Sequence, residues 1–276
     1  MIFPQLSWLL LLLSLVFLAV GFYKFTYFFS VGHGLVTGGL GLTILIIALT
    51  RGDVSLPLAL ECLLLLVYGI YQGGVTALLE LKKGRDRTLF RSRSENETPL
   101  LVQVAVWLLL GVAYLLPLMP LWYREATAPR EALAAAWIGF VLMLGGLALE
   151  LISNRQANQQ RQEDPLHPPM HGLFSIVRCP AQLGRMIFFL GLFAGNAAIL
   201  KGFQWLVAIL GFAAAVYFAF RSAKRKEKIT GERHGRLKSY QNYLAETPVI
   251  LPFVPLYSLD FSRRAGEEEE DEDKEL

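Results

Sequence analysis

Charged residues are scarce in this chain: Asp, Glu, Lys and Arg make up only 18% of its 276 residues. Hydrophobic residues make up 54%, and the mean hydropathy is +0.44. This composition excludes an ordinary soluble domain. Cysteine is scarcer still, with Cys62 inside a long apolar run and Cys179 in a more polar connection. Because these two positions lie at different predicted depths in a membrane, the sequence argues against a structural disulfide.

The sequence contains several long apolar runs. Seven of them are nearly free of charged residues, at about 6–24, 34–50, 55–79, 100–122, 132–152, 183–200 and 203–220. A helix of this length crosses about 30 Å of hydrocarbon. The sequence therefore predicts an all-α, polytopic membrane helical bundle with about seven transmembrane helices. The first run lacks a basic flank and a convincing cleavage site, which favours a retained anchor over a signal peptide.

Lysine and arginine are distributed unevenly between the two predicted membrane faces. One face receives ten of them before the C-terminal segment: Lys24, Lys82, Lys83, Arg85, Arg87, Arg91, Arg93, Arg155, Arg161 and Arg178. The other face receives four: Arg51, Arg124, Arg130 and Lys201. Basic residues collect on the cytoplasmic side of a membrane because they translocate poorly. We therefore expect the N-terminus outside, the C-terminus in the cytoplasm, and a site that faces the cytoplasm from a bacterial inner membrane or the endoplasmic reticulum.

The connection at residues 153–182 is rich in polar residues and proline. It leads into the stretch HGLFSIVRCPAQLGR, residues 171–185, where Arg178 precedes the predicted sixth span. An arginine beside the free N–H groups of a helix N-terminus suits an anion, and the alternative is an arginine that snorkels to the membrane surface. His167 and His171 have the i, i+4 spacing of a zinc pair. The prolines between them forbid the helix that such a pair needs, so we expect no metal site.

The residues after the last apolar run are first basic and then aromatic. The basic part predicts an amphipathic continuation of the last membrane helix, with breaks at Gly231 and Gly235. Tyr240 and Tyr243 then share one face of a short predicted helix. The proline-rich segment 248–255 is predicted to end that helix and to fold back against the bundle in an extended conformation.

The second half of the chain contains an ordered set of residues: Glu150, Gln156, Gly172, Leu173, Phe174, Arg178, Pro180, Gly184, Glu227, Gly235, Tyr240, Tyr243, Thr247, Pro248 and Pro252. This order resembles the C-terminal half of the steroid 5α-reductase family and its bacterial membrane relatives. It resembles the isoprenylcysteine carboxyl methyltransferases more distantly. The resemblance covers about residues 137–256, which we interpret as a C-terminal membrane domain. Residues 1–136 then form four N-terminal membrane helices, and residues 257–276 form an acidic tail.

Several positions of this sequence depart from the pattern of the family it resembles. Asn154 stands where the family has Asp, Cys179 where it has His, Ala181 where it has Asn, Gln182 where it has Tyr, and Arg185 where it has Glu. The resemblance implies a cofactor site at the cytoplasmic ends of these helices. The residues that would form it are Asn154, Arg155, Arg178, Cys179, Gln182, Gly184, Glu227, Tyr240 and Tyr243.

Three functions remain open from the sequence. The first is a reductase that uses NADPH to reduce a conjugated double bond of a steroid-like or polyprenyl-like lipid. The second is a membrane methyltransferase that uses S-adenosylmethionine, and the third is a non-catalytic lipid- or partner-binding protein that has lost its cofactor. For the reductase, Glu61 and Tyr68 are the catalytic candidates, because they share a face of the third span and an ionisable residue there is costly. The alternative for Glu61 is a protonated carboxyl bonded to a neighbouring helix.

The expected partners follow from the same composition. Membrane lipids and a hydrophobic small-molecule substrate fit the apolar runs, and nucleic acid is not expected. Residues 267–276, EEEEDEDKEL, carry eight acids and one lysine. Such a charge block predicts a disordered, solvated end or a contact for a basic partner.

Overall fold

The computed structural model describes residue 4, residues 6–85 and residues 98–252, without the side chains of 75, 76 and 78–85. Nine α-helices lie in this described part: α1 Ser7–Leu18, α2 Val31–Arg51, α3 Leu56–Arg85, α4 Leu100–Leu115, α5 Met119–Thr127, α6 Leu133–Glu163, α7 Pro180–Ala197, α8 Gln204–His234 and α9 Lys238–Glu246. Four short 3₁₀ helices connect them, and these residues contain no strand. The predicted basic cluster from Lys82 to Arg93 and the acidic tail lie outside the described side chains.

Proline and glycine set several of the helix boundaries. Proline is the first residue of α7, where its missing N–H costs no helical hydrogen bond. Gly52 follows α2 with φ at +73°, a left-handed conformation that glycine adopts without strain, and its N–H donates to the carbonyl of Leu49. Pro117 lies in the 3₁₀ turn that separates α4 from α5, and Pro120 lies in the first turn of α5. The local sequence therefore explains where these helices begin and end.

Five helical segments of the described residues are long and apolar enough to cross a membrane: Phe25–Arg51, Leu56–Gly74, Leu100–Thr127, Leu133–Glu163 and Gln204–His234. Each overlaps one of the predicted spans. The predicted first span corresponds to a shorter apolar helical segment, Ser7–Phe22, and the predicted sixth to α7, which is not among the five. A multi-pass helical protein is confirmed. The count of seven and the orientation of the termini stay predictions.

The chain divides into two compact units that are not continuous in sequence. Unit 1 comprises Met1–Leu144 and Phe188–Ala215, and unit 2 comprises Gly145–Ile187 and Val216–Leu276. Helices α6, α7 and α8 each contribute residues to both units. The predicted boundary at residue 136 rests on the family resemblance and stays a prediction.

Unit 1 contains a close packing of α2 against α3 through glycines. A Cβ atom at Gly34 would collide with the backbone of Gly73, and one at Gly69 would collide with the backbone of Gly34 and Gly38. We call these four residues the glycine seam. Small residues let helix backbones approach within van der Waals contact, which is a main source of helix association in membranes.

Unit 2 contains the residues that follow the last long helix. Tyr240 and Tyr243 lie on the short helix α9, as predicted, with ring centroids 6.2 Å apart. The segment after it packs back as predicted: Val249 and Ile250 are fully buried, in a core with Cys179 and Ala223. The predicted helix break at Gly231 is wrong, because α8 continues to His234. A glycine at this position does not interrupt the helical hydrogen bonds, because it costs only about 1 kcal/mol relative to alanine inside a helix.

Candidate functional site

The loop between α6 and α7 in unit 2 is held by side chains of α6. Gln160 Oε1 accepts hydrogen bonds from the backbone N–H groups of Met170 and His171, at 3.0 and 3.1 Å. Gln156 Oε1 accepts one from the N–H of Leu173, at 3.1 Å. Gly172 has φ at +70°, which lets the chain turn beside the Gln156 amide. The two glutamines therefore fix the path that leads to Arg178.

Arg178 lies at the end of this loop, just before α7, with a side chain that is only 6% exposed. Its Nη1 lies 2.9 Å from Oε1 of Glu227 on α8. Its backbone N–H donates to the carbonyl of Pro248, and that of Cys179 donates to the carbonyl of Val249. The segment after α9 thus completes the backbone bonding of the turn and holds the arginine beside α8.

Uncharged polar groups surround this ion pair. The Tyr243 hydroxyl donates to the carbonyl of Phe174, at 2.6 Å. Burial raises the pKa of Tyr243 and of Tyr240 above their usual value, so both phenols stay neutral at physiological pH. Burial also raises the pKa of the Cys179 thiol, to about 11, although nearby Lys226 and Arg178 act in the opposite direction. Cys179 is therefore a buried thiol and does not provide a thiolate here.

A small cavity of about 40 Å³ lies beside Arg178 and Glu227. Its lining residues come from α6, the loop, α8 and α9 and combine charged and aromatic groups: Arg161, Pro168, Pro169, Phe174, Arg178, Cys179, Lys226, Glu227, Thr230, Tyr240 and Tyr243. This volume suits water or a small substituent of a larger ligand.

A much larger cavity of about 630 Å³ adjoins it in unit 2, and the two share Arg161, Pro168, Pro169, Lys226 and Thr230. We call the larger one the basic cavity. The described residues that line it include four cations and two histidines and no acid: Arg161, Pro165, His167, Pro168, Pro169, Gln182, Ser222, Arg225, Lys226, Ile229, Thr230, Arg233 and His234. Its volume is in the range of cofactor and small-molecule sites. Like charges gathered around one concave surface create a positive potential that attracts anions.

Six of the nine predicted cofactor residues line one of the two cavities, and three line neither. Arg178, Cys179, Glu227, Tyr240 and Tyr243 line the small cavity, and Gln182 lines the basic cavity. Asn154, Arg155 and Gly184 line neither of the two. Asn154 is half-buried and Arg155 exposed on α6. A Cβ at Gly184 would lie 2.6 Å from the carbonyl oxygen of Gly146, so this glycine serves the packing of α7 against α6.

Arg185, one of the residues that depart from the family pattern, forms an ion pair. Arg185 Nη2 lies 2.7 Å from Oε1 of Glu150, whose side chain is only 2% exposed. A buried carboxylate needs a cation or several hydrogen bonds to offset its desolvation. A glutamate at position 185 would instead place two acids together. Arg185 and Glu150 therefore form a compatible pair in this chain.

The histidines of the loop do not gather into a metal site. His167 Nδ1 lies 2.7 Å from Oδ2 of Asp164, and this hydrogen bond lowers the pKa of Asp164. Throughout the part of the chain that the structure describes, no cluster of three or more His, Cys, Asp or Glu residues could hold a metal ion.

Unit 1 contains a second polar group, which we call the buried network: Glu61 on α3, Arg124 on α5 and Asn196 on α7. All three side chains are fully buried. Asn196 Nδ2 donates to Glu61 Oε2 at 3.0 Å, and Asn196 Oδ1 accepts from Arg124 Nε. The other Arg124 nitrogens donate to the carbonyls of Glu131 and Gly195. The amide of Asn196 therefore bridges a carboxyl and a guanidinium.

Tyr68, the other catalytic candidate, lies in different surroundings of unit 1. Its ring stacks on Phe188, with centroids 4.5 Å apart, and meets the edges of Phe189 and His33. His33 in turn lies 4.8 Å from the ring of Tyr114. Sequence reasoning missed His33, Arg124 and Asn196. The available signal was a polar side chain inside an apolar run, as in LFAGNAAIL around Asn196.

The helices, the buried network and the basic cavity define a class: an all-helical, multi-pass membrane protein with a cationic cavity in one compact unit. The chain belongs to the family described as Protein of unknown function (DUF1295), whose sequence model matches residues 34–247. No curated protein and no solved structure matches the chain. The family match includes both the buried network and the residues that line the two cavities.

Proposed function

We propose that this protein is a membrane-embedded, NADPH-dependent reductase that acts on a conjugated C=C bond of a hydrophobic, steroid-like or polyprenyl-like lipid. The observation that carries the proposal is the basic cavity, which gathers four cations and no acidic residue from its described lining. A dinucleotide with three phosphates requires such charge compensation. The resemblance to the steroid 5α-reductase family supports the same reading, because its ordered residues include Arg178, Glu227 and Tyr243, which line the adjoining small cavity.

The chemistry of the lining fits NADPH better than S-adenosylmethionine. Phosphate oxygens would accept charge-assisted hydrogen bonds from Arg161, Arg225 and Arg233. S-adenosylmethionine carries a sulfonium, an ammonium and one carboxylate, and this net positive charge is disfavoured by four cations without an acid. The basic cavity therefore favours the reductase over the methyltransferase.

In the proposed reaction the chain's residues bind and orient the two reactants, and solvent supplies the proton that the α-carbon takes up. NADPH, when bound, supplies a hydride for the β-carbon of the conjugated double bond. Arg161, Arg225 and Arg233 would hold the phosphates, and Gln182 would offer an amide to the nucleotide. Glu61 and Tyr68 of unit 1 are kept as the proposed catalytic groups, whose part would be to polarise the lipid carbonyl.

NADPH binding by the full chain in detergent tests the first step. Arg225→Gln should weaken binding about 10- to 100-fold, because a hydrogen bond to a charged group is worth about 1.5–3 kcal/mol. Lys228→Gln is the matched control, since Lys228 lies on the same helix and lines neither cavity. S-adenosylmethionine, titrated in parallel, should not bind. A folded protein that binds no NADPH would overturn the proposal and favour the non-catalytic reading.

The second step is tested with an α,β-unsaturated steroid ketone and NADPH oxidation. Glu61→Gln should keep the affinity for NADPH and lower the turnover number by about two or more orders of magnitude, as expected for a residue that stabilises only the transition state. Equal loss of cofactor affinity and turnover would show instead that Glu61 acts only through the fold.

A further inference from the structure

The basic cavity of unit 2 has a counterpart of opposite charge in the same chain. Four cations line it, and residues 267–276 carry eight acids and one lysine. We infer that residues 267–276 bind in the basic cavity and compete there with phosphate-bearing ligands. The inference rests on the proposed function only in naming the cofactor as the ligand that the tail displaces.

The described residues of unit 2 form several ion pairs, among them Arg178 with Glu227, Arg185 with Glu150 and His167 with Asp164. Arg161, Arg225, Lys226 and Arg233 take no part in them. Their charges face one concave surface, where a ligand with several negative charges gains more than a single carboxylate would.

The length of the intervening chain allows the contact. The described residues end at Pro252, and 14 residues, 253–266, separate it from the acidic segment. A stretch of 14 residues can reach at most about 46 Å when fully extended. Its starting point is fixed within unit 2, because Ile250 is buried and the carbonyl of Val249 accepts from Cys179, which lines the small cavity.

The acidic segment also stays on the same side of the membrane as α9. Residues 253–276 contain no apolar run of about 18 residues, the length that a membrane-crossing helix needs. The tail and the basic cavity therefore meet in one compartment whichever way the protein is oriented.

The tether makes a weak ionic contact effective. A segment linked to its site by a short chain is present at a millimolar effective concentration, which no free peptide reaches at ordinary protein concentrations. Each exposed ionic contact is weak and screened by salt, with a Debye length of about 8 Å at physiological ionic strength. Competition by the tail should therefore be strong at low salt and small at high salt.

The first experiment needs no nucleotide. The full chain in detergent at low salt is digested with an endoproteinase that cleaves after glutamate, and cleavage within residues 267–275 is followed by mass spectrometry. Arg225→Gln with Arg233→Gln should speed this cleavage about tenfold. Lys228→Gln with Lys238→Gln, which removes the same charge outside the cavity lining, should leave the rate unchanged. Equal rates in all three proteins would overturn the inference.

The second experiment leaves the folded residues untouched. Replacing all eight acids of residues 267–276 by Gln or Asn should tighten the binding of inorganic pyrophosphate about tenfold at low salt, with the gain lost at high salt. An unchanged affinity would contradict the competition. If NADPH fails to bind while cleavage of the tail still depends on Arg225 and Arg233, that result would reject the proposed cofactor but would support the contact between the tail and the basic cavity.

Discussion

Units 1 and 2 each combine acids with arginines, but in different ways. In the buried network of unit 1, Asn196 separates Glu61 from Arg124, and the remaining guanidinium nitrogens are bonded to backbone carbonyls. In unit 2, Arg178 and Arg185 contact their acids directly, and Glu227 and Arg185 remain about one fifth exposed.

This difference indicates different roles for the two sets of charges. Every described bond of Arg124 goes to a fixed, neutral group of the protein, so removing the side chain leaves several buried polar atoms without partners. The Arg178–Glu227 pair of unit 2 lines the small cavity, which is large enough for water. The buried network should therefore contribute more to stability than the ion pairs of unit 2 do, and the arginines that line the cavities of unit 2 should contribute to binding.

The largest effect is expected at Arg124. Arg124→Leu should lower the free energy of unfolding by about 3–5 kcal/mol, because it breaks a buried charged network. Arg130→Gln is the control, since Arg130 and Asp53 form an exposed pair worth about 0–1 kcal/mol. Unfolding in mixed micelles, followed by circular dichroism, measures both. Similar small effects for the two variants would remove the proposed contrast between the units.

Asn196 should show the next effect. Asn196→Leu should cost about 2–3 kcal/mol, because Glu61 and Arg124 each lose a buried partner. Combining it with Glu61→Gln should cost less than the sum of the single changes, with a coupling energy of at least about 0.5 kcal/mol. Strict additivity in this double-mutant cycle would show that Asn196 does not bridge the two groups.

Arg185 belongs to unit 2 and should matter less. Arg185→Gln should cost about 1–2 kcal/mol, between the values for buried and for exposed ion pairs. Arg185→Glu, which restores the residue of the family pattern, should cost more because it faces Glu150. Arg155→Gln, at an exposed position of the same unit, should change the unfolding free energy little. A stable Arg185→Glu protein would contradict the role given to this pair.

The smallest effect concerns the Cys179 thiol. With a pKa of about 11 raised chiefly by burial, it is protonated at pH 7.5 and should react slowly with iodoacetamide. The rate should rise about tenfold per pH unit and level off only above pH 11, because the thiolate is the reacting form. Labelling by mass spectrometry at several pH values tests this. Rapid labelling of the folded protein at pH 7.5 would show that the turn opens.

The sequence predicts the helical architecture and part of the candidate site, because both depend on local patterns. Apolar runs indicate the long helices, and the ordered frame points to Arg178, Glu227, Tyr240 and Tyr243, which the structure gathers around one cavity. The helices extend beyond the ends of the apolar runs, however. α8 continues to His234 as a basic segment, and only its helical form places Arg225 and Arg233 on the cavity that also contains Arg161.

The buried network could not be predicted, because it joins residues that are far apart in the chain. Arg124 and Asn196 are 72 positions apart, and Glu61 and Asn196 are 135 apart. A single sequence shows that each is polar in an apolar context but not which helices meet. Charge counting assigned Arg124 to a membrane face as an orientation signal, whereas its side chain is fully buried in protein.

The glycine seam between α2 and α3 bears on how the protein is made. Only residues 52–55 connect these helices, so α2 and α3 form a helical hairpin that leaves the ribosome early. Its close backbone contact needs no residue from later in the chain. We expect the hairpin to assemble in the membrane during synthesis and to offer a template on which the later helices of unit 1 dock. A bulky residue at Gly69 should therefore act first on biogenesis and lower the yield of inserted protein.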